Sequence, residues 1–151
     1  MRSRAVAPAM TPDDDYELEA QIGFLLRRAQ QRHVAIFAEC MGDIDLTPTQ
    51  FSALVKIRDE GGVSQNRLGR LTAMDPSTIL GVVHRLLQRA LVARRPDPRD
   101  PRSALLTLTS GGAALVERAI ERARAATGRT AEPLSATQRK ELSRLLAKIA
   151  Q

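Results

Sequence analysis

Apolar residues recur at three- and four-residue steps through the first quarter of the chain, which is the spacing of one face of an α-helix. Three aspartates at 13–15 place negative charge where a helix N-terminus favours it, and Gly42 stands where the pattern stops. The pattern predicts a long first helix that starts at these aspartates and ends at Met41. Its apolar stripe consists of Leu18, Ile22, Leu25, Ala29, Ile36 and Cys40.

Capping residues predict the start of a second helix. Thr47 fits the N-cap, Pro48 fits the first turn, and Gln50 completes a capping box with Thr47. Gly61–Gly62 is expected to end this helix. Its inner face is predicted to consist of Phe51, Leu54, Val55 and either Ile57 or the aliphatic stem of Arg58.

Two more helices have similar start signals. Ser64 predicts the N-cap of a short third helix, and Asp75 followed by Pro76 predicts the start of a fourth helix that runs to about Leu91. The residues expected to face the core are Leu68 and Leu71 of the third helix and Ile79, Val82, Val83, Leu86 and Leu87 of the fourth.

The period then changes from helical to alternating. A short strand is predicted at 92–95, and a second strand at 103–109, where Leu106 and Leu108 alternate with threonines. The segment 95–102 between them has three prolines in eight residues, so it cannot lie inside a helix. We expect a two-stranded hairpin with a proline-stiffened tip.

The end of the chain returns to the helical period. Thr109 or Ser110 is expected to start a fifth helix, and Ser135 with Gln138 forms a capping box that starts a sixth. The stripe of the fifth helix is predicted to be Ala113, Val116, Ile120, Ala123 and Thr127. That of the sixth is Leu142, Leu145, Leu146 and Ile149.

The predicted order is therefore α-α-α-α-β-β-α-α, a mainly α fold. Short helices followed by a longer one and a hairpin are typical of a winged helix-turn-helix, which we place at 46–109. The long helices at 13–45 and 110–151 have apolar stripes that this small unit cannot cover. We therefore expect them to form a dimerisation region with a second copy of the chain. Residues 1–12 are expected to be a disordered tail.

Composition excludes several classes of protein. The 151 residues fit one domain, and no apolar run approaches the roughly 20 residues that span a bilayer. The first residues contain no apolar core of a signal peptide. The single cysteine, Cys40, excludes an internal disulfide and leaves no metal-binding cluster. We expect a cytoplasmic protein that contacts no membrane and has neither a bound metal nor a cofactor.

Positive charge is concentrated near the hairpin. The chain has a net charge of +6, with 20 arginines and 3 lysines. Between Arg85 and Arg102 lie six arginines and two aspartates. Such a stripe is expected of a phosphate-binding face, although a solvated charged surface has the same composition.

Four segments resemble the MarR (multiple antibiotic resistance regulator) family, over residues 16–150. They are LTPTQFSALVKI (46–57), LGRLTAMDPSTI (68–79), RLLQRALVARRPDPRDPR (85–102) and LTLTSGGAAL (106–115). Asp100 and Arg102, followed by a strand that ends in Leu-Thr, match the family's wing signature. The resemblance implies a transcriptional repressor that binds duplex DNA as a homodimer, with the dimer built from the first, fifth and sixth helices. It also implies a recognition helix in the major groove, wings in the flanking minor grooves, and release by a small ligand or by oxidation.

The resemblance implies which residues contact DNA. Arg102 would enter the minor groove, and Asp100 would hold the wing arginines in place. Gly81 stands where relatives commonly have an arginine, so it either permits close approach to the duplex or reflects drift. Leu80 suits a thymine methyl group. The predicted DNA-binding residues are Ser77, Thr78, Leu80, Gly81, His84 and Arg85 of the helix and Arg94, Arg95, Arg99, Asp100 and Arg102 of the hairpin. Arg85 and Arg89 are expected to meet phosphates or an acidic neighbour.

A second resemblance concerns the effector. The segment GFLLRRAQQRHVAIF (23–37) is similar to MarR regulators that control catabolism of aromatic acids or their CoA thioesters. It implies an effector of that kind between the first and second helices. His33, Phe37 and Phe51 would line the pocket, and Arg28 or Arg32 would meet an anion. The alternative for His33 is a hydrogen-bonded core or interface residue.

Other functions fit less well. Cys40 as a peroxide sensor would need an exposed thiol of lowered pKa, and the alternative is an inert half-buried thiol. An enzyme is disfavoured because neither histidine, His33 or His84, belongs to a nucleophile–base–acid set. An architectural DNA-binding protein without sequence preference remains the main alternative, since the basic face fits it equally.

Overall fold

The structure, a computed structural model, describes residues 15–151. The predicted disordered tail at 1–12, and the aspartates at 13 and 14, lie outside the described residues. The element order is the expected α-α-α-α-β-β-α-α, with two added 3-10 helices at Leu18–Ala20 and Gly42–Ile44. The elements are α1 (Ile22–Met41), α2 (Pro48–Glu60), α3 (Gln65–Leu71), α4 (Pro76–Gln88), β1 (Val92–Asp97), β2 (Asp100–Leu108), α5 (Ser110–Thr130) and α6 (Ala136–Ile149).

The first helix begins later than the sequence predicts. Gln21 has an extended backbone (φ −75°, ψ 138°), which separates the 3-10 turn from α1. Asp15 therefore does not lie in the first turn of α1, and the predicted continuous helix from 13 is wrong. The described residues form two compact units, 15–31 and Arg32–Gln151.

The predicted capping residues are confirmed. The Thr47 hydroxyl accepts a hydrogen bond from the backbone N–H of Gln50, and the Gln50 side chain accepts one from the N–H of Thr47. Ser64 and Asp75 each accept a hydrogen bond from the backbone N–H three residues on, at the starts of α3 and α4. The C-cap of α2 is Gly61, with a φ of 69° that side-chain-bearing residues rarely adopt.

The core of the second unit lies among α2, α4, α5 and the hairpin. Ile57 is fully buried and Arg58 is exposed, which settles the choice between them. Phe51, Val55 and Leu87 are half-buried against this core. The buried apolar side chains of the helix-turn-helix are Ala53, Leu54, Ile57, Leu68, Ile79, Val82, Val83 and Leu86.

The buried face of α5 agrees with the predicted one in the middle of the helix, where Val116 is buried and Ile120 and Ala123 are half-buried against the core, and differs at both ends. Gly112, Val116, Ala119 and Ala126 are buried, whereas the predicted Ala113 and Thr127 are exposed. The cause lies at the start of the helix, where Gly112 sits against the backbone carbonyl of Leu91. A Cβ at Gly112 would lie 1.9 Å from that oxygen. This close approach holds the start of α5 against Leu91, so Gly112 is buried there in place of the predicted Ala113.

The hairpin is longer than expected. Its antiparallel register runs from Val92 opposite Leu108 to Pro96 opposite Ala104, with an irregularity after Pro96. Pro96 and Pro101 therefore lie within strands instead of in a loop. A two-stranded ribbon tolerates this because each strand has an unpaired edge, where a residue without an N–H breaks no ladder bond. Val63 adds a bridge to Leu106 that the pattern did not reveal.

Within residues 15–151, no helix combines the length and apolar character that a membrane crossing requires.

Candidate functional site

The fourth helix separates an apolar face from a solvent-facing one. Ile79, Val82, Val83 and Leu86 are buried on the inner face. The outer face carries the predicted DNA-binding residues of this helix, and all of them are exposed: Ser77, Thr78, Leu80, Gly81, His84 and Arg85. The packing of the inner face thus holds a continuous outer surface toward solvent.

Thr78 is committed to the start of this helix. Its backbone N–H donates to the Asp75 carboxylate at 2.8 Å, and its hydroxyl donates to the other carboxylate oxygen at 3.0 Å. These two hydrogen bonds hold the pKa of Asp75 below its ordinary value. Because the hydroxyl of Thr78 gives its hydrogen to Asp75, it can meet a ligand only as a hydrogen-bond acceptor.

The two arginines at the end of the helix differ. The Arg89 guanidinium donates to the backbone carbonyls of Asp45 at 2.6 Å and Ile44 at 2.8 Å. Arg89 thus ties α4 to the connection between α1 and α2 and has no acidic partner within residues 15–151, while its expected contact with a phosphate stays a prediction. Arg85 is exposed, and its guanidinium forms no ion pair with any residue in 15–151.

The wing tip is built from a repeated tripeptide, Asp-Pro-Arg, at 97–99 and 100–102. In each copy the aspartate accepts a hydrogen bond from the backbone N–H of the arginine two residues on. The distances are 2.9 Å for Asp97 to Arg99 and 3.0 Å for Asp100 to Arg102. This is the geometry of an Asx-turn. The expected role of Asp100 is thus corrected, since it holds the backbone of Arg102 and forms no ion pair with an arginine side chain of residues 15–151. The sequence analysis missed Asp97, which the repeat itself would have indicated.

The wing presents four arginines to solvent: Arg94, Arg95, Arg99 and Arg102. Within residues 15–151, none of their guanidinium groups lies within ion-pairing distance of a carboxylate. No acidic side chain of the described residues therefore pairs with these four guanidinium groups. The outer face of α4 adds the exposed Arg85, and exposed guanidinium groups of this kind are suited to a polyanion.

The residues of the predicted effector pocket form an aromatic cluster. The ring centroid of Phe37 lies 6.0 Å from that of His33 and 5.6 Å from that of Phe51. Phe37 is buried, whereas His33 and Phe51 are half-buried. The predicted proximity of these three residues, which come from two helices, is confirmed.

Hydrogen bonds determine the tautomer of His33. Its Nδ1 lies 2.8 Å from the hydroxyl oxygen of Thr130, and that hydroxyl donates to the carbonyl of Ala126 at 2.8 Å. A hydroxyl has one hydrogen, so Thr130 must accept from His33, and Nδ1 carries the proton. In the neutral imidazole, Nε2 is therefore the acceptor nitrogen.

The two predicted anion-binding arginines are not equivalent. The Arg32 guanidinium donates to the backbone carbonyls of Thr130 at 2.7 Å and Arg129 at 3.3 Å, near the end of α5. It is therefore already engaged, whereas the sequence analysis expected it to be free for an anion. Arg28, in the first unit, is exposed.

Two openings adjoin this cluster. A cavity of about 130 Å³ lies between α1 and α2, and its apolar lining is Val34, Phe37, Ala38, Met41, Leu46 and Pro48. An open groove of about 420 Å³ lies between α2 and α5, lined by Phe51, Val55, Ile120 and Ala123 with Arg58 and Arg124. Phe37 faces the first opening and Phe51 the second.

Cys40 is half-buried. Its Sγ lies 3.6 Å from the Arg129 guanidinium, which also pairs with Glu39 at 2.6 Å. A redox role for Cys40 stays a hypothesis.

The helix-turn-helix, the hairpin beside it and the exposed arginines define a winged-helix DNA-binding regulator. Residues 46–104 match the profile described as MarR family. The chain is 41% identical over 149 residues to the transcriptional repressor NicR of Pseudomonas putida, covering 97% of this chain and 94% of NicR. The chain therefore belongs to the MarR family, and it is a MarR-type transcriptional repressor and not an enzyme.

Solved structures agree with this assignment. BpsR of Bordetella bronchiseptica is 42% identical with a TM-score of 0.85, covering 91% of this chain and 98% of BpsR. Its structure concerns regulation of DNA binding by 6-hydroxynicotinic acid. The repressor CouR, solved bound to a 23-mer DNA duplex, is 31% identical with a TM-score of 0.82, covering 89% of this chain and 95% of CouR.

Proposed function

We propose that this repressor binds a pseudo-palindromic operator as a homodimer and is released by an aromatic carboxylate. The observation that carries the DNA-binding part is the exposure of both the outer face of α4 and the four wing arginines. In this proposal α4 enters the major groove, and the wing reaches the adjoining minor groove. The structure of CouR bound to a DNA duplex supports binding to duplex DNA.

The wing turns support insertion of Arg102. A narrow minor groove has enhanced negative potential, which attracts an arginine side chain. Because Asp97 and Asp100 fix the backbone at Arg99 and Arg102, binding costs these arginines less conformational entropy. We assign Arg102 to the groove and Arg99 to a phosphate.

The dimer is proposed from apolar stripes that the single chain leaves open. On α6, Leu142, Leu145, Leu146 and Ile149 are all exposed, by 37–60%. Their spacing places them on one face, and such a face needs a partner to leave water. In the first unit, Ile22, Leu25 and Leu26 are likewise exposed. A second copy of the chain would cover these residues.

The effector is proposed to be a single-ring aromatic acid, with 6-hydroxynicotinic acid as the first candidate because the BpsR structure concerns regulation by it. The cavity between α1 and α2, about 130 Å³, is close to the roughly 150 Å³ that holds one benzene ring. This size favours a free acid over its CoA thioester. A carboxylate that recruits Arg32 would release the carbonyls of Thr130 and Arg129 and so loosen the contact between α1 and α5.

Release of the operator then follows because the ligand shifts the population between two conformations of the dimer. The ligand would favour a dimer whose recognition helices no longer match successive major grooves, which are about 34 Å apart. The free energy by which the ligand weakens DNA binding cannot exceed the difference between its binding free energies for the two dimer states.

The experiment compares affinity for DNA upstream of the protein's own gene with affinity for bulk genomic DNA, by fluorescence anisotropy with and without 6-hydroxynicotinic acid. We expect tight binding to the upstream fragment, protection of a symmetric site and release by the acid. Equal affinity for both DNAs would instead indicate an architectural DNA-binding protein. Operator binding that no aromatic acid weakens would contradict only the effector.

A further inference from the structure

Leu80 is an exposed apolar side chain in an otherwise well-buried lobe. Its exposure is 56%, while the apolar residues beside it on the inner face, Ile79 and Val82, are exposed by 2% and 4%. In residues 46–109, all of which the structure describes, Leu80 is the single large aliphatic or aromatic side chain that is exposed. Exposure of this apolar side chain to water is unfavourable. A partner that covers it therefore binds with a more favourable free energy.

Gly81, the next residue, has no packing role within the described part of the chain. A Cβ at this position would meet nothing within 4 Å. At Gly69, by contrast, a Cβ would meet the Met74 carbonyl at 3.2 Å. Glycine inside a helix reduces stability by about 1 kcal/mol relative to alanine. The position that a Cβ of Gly81 would occupy is thus open to solvent, beside Leu80 on the outer face of α4.

The residues that flank Leu80 and Gly81 limit the kind of chemical group that this part of α4 can bind. The hydroxyl of Thr78 is committed to Asp75, and Ser77 and His84 lie about one turn to either side of Leu80 and Gly81. No arginine lies between Ser77 and His84. The middle of α4 therefore offers an aliphatic side chain and an open backbone, with no charged side chain between Ser77 and His84. In the major groove, the apolar group that a base presents is the 5-methyl group of thymine.

We infer that Leu80 recognises the 5-methyl group of a thymine in each operator half-site, and that Gly81 lets α4 approach the base pairs closely enough for this contact. The inference rests on the proposed function, since it requires that α4 lie in the major groove. It predicts operator specificity carried by methyl contact in the middle of the helix and by minor-groove shape at Arg102, with the other wing arginines supplying affinity that does not depend on sequence.

The test replaces each operator thymine in turn by deoxyuridine, which removes the methyl group and leaves the hydrogen-bonding edges unchanged. Wild-type affinity is expected to fall about fourfold when one half-site is changed and roughly fifteenfold when both are, from the burial of one methyl group each. Leu80→Ala should have reduced affinity for the unmodified operator and become insensitive to deoxyuridine at that position. Leu80→Met should keep the sensitivity.

Gly81→Ala supplies an independent test. It should raise the melting temperature and yet weaken operator binding, because the added methyl group occupies the approach space. Gly128→Ala on α5 is the matched control, since a Cβ there also meets nothing within 4 Å. It should raise the melting temperature and leave operator affinity unchanged.

The outcomes separate the two proposals. A wild-type protein indifferent to every deoxyuridine, or a Leu80→Ala variant that keeps the full penalty, overturns the thymine contact while operator binding stands. Failure to prefer the operator over bulk DNA overturns the proposed function and the inference with it.

Discussion

The carboxylate of Asp100 accepts a hydrogen bond from the backbone N–H of Arg102 at 3.0 Å. The bond closes a turn at the wing tip and leaves the guanidinium group of Arg102 exposed and without an ion pair in residues 15–151. The aspartate therefore shapes the backbone, while the arginine keeps its full charge for a ligand. These two roles can be tested separately.

Arg102→Ala should weaken operator binding by about 1–3 kcal/mol, because it removes a charged side chain from the minor groove. The slope of log K against log salt should become shallower by about one for each DNA phosphate that is no longer neutralised. Titrations at several salt concentrations measure both quantities. Arg118→Ala is the control, since Arg118 lies on α5 and pairs with Asp43. Unchanged affinity and slope in Arg102→Ala would show that the wing does not touch DNA.

Asp100→Ala should also weaken operator binding, but less than Arg102→Ala, because the arginine charge remains and only the turn is removed. Asp100→Asn keeps an acceptor oxygen for the Arg102 N–H and should bind almost like wild type. Hydrogen exchange of the Arg102 amide reports on the turn directly and should accelerate in Asp100→Ala only. If both variants are weakened equally, the carboxylate charge matters instead of the turn.

Removal of residues 135–151 should abolish the dimer, because it deletes the four exposed apolar side chains of α6. Burial of one such side chain contributes about 1.5–3 kcal/mol. The double variant Leu142→Asp, Leu146→Asp tests the same stripe without truncation, and Arg144→Ala on α6 is its control. Analytical ultracentrifugation measures the association. A truncated monomer that still binds operator tightly would refute the proposed dimer region.

Effector binding should depend on the cavity between α1 and α2. Ala38→Leu fills that cavity, and Ala123→Leu fills the groove between α2 and α5. The first variant should no longer be released by 6-hydroxynicotinic acid while its operator affinity without ligand stays near that of wild type; the second should respond normally. A hundredfold release requires about 2.7 kcal/mol of coupling. His33 and Phe51 do not line the cavity themselves, but both rings pack against Phe37, which does, so His33→Ala and Phe51→Ala should blunt release as well.

The reverse result, in which only Ala123→Leu fails to respond, would move the effector to the α2–α5 groove. Normal response of all four variants would return His33 to a purely structural role.

Gly112→Ala should unfold or severely destabilise the protein, because the new methyl group would overlap the Leu91 carbonyl at 1.9 Å. Gly128→Ala, in the same helix, should stabilise it by about 1 kcal/mol from helix propensity alone. Thermal melts of the two variants measure these opposite effects. A Gly112→Ala variant as stable as wild type would show that this contact does not hold the start of α5 against Leu91.

The sequence by itself determined where most helices begin, since capping is local. Thr47, Ser64, Asp75 and Ser135 each bond a backbone N–H three residues away, so a short window of sequence contains both partners. The alternation of apolar residues at 103–109 likewise revealed the second strand of the hairpin. Local signals of this kind were sufficient for the element order and the winged-helix class.

Only the tertiary structure decided which residue is buried at the start of α5 and where the long arginines go. The burial of Gly112 in place of Ala113 depends on its contact with Leu91, and Arg89 and Arg32 reach carbonyls 44 and 98 residues away. An arginine side chain has several acceptors within reach of its rotamers, and backbone carbonyls carry no signature in the sequence. Packing of distant segments decides which acceptor each arginine reaches, so the sequence did not reveal that Arg89 and Arg32 bind backbone carbonyls in the chain without ligand.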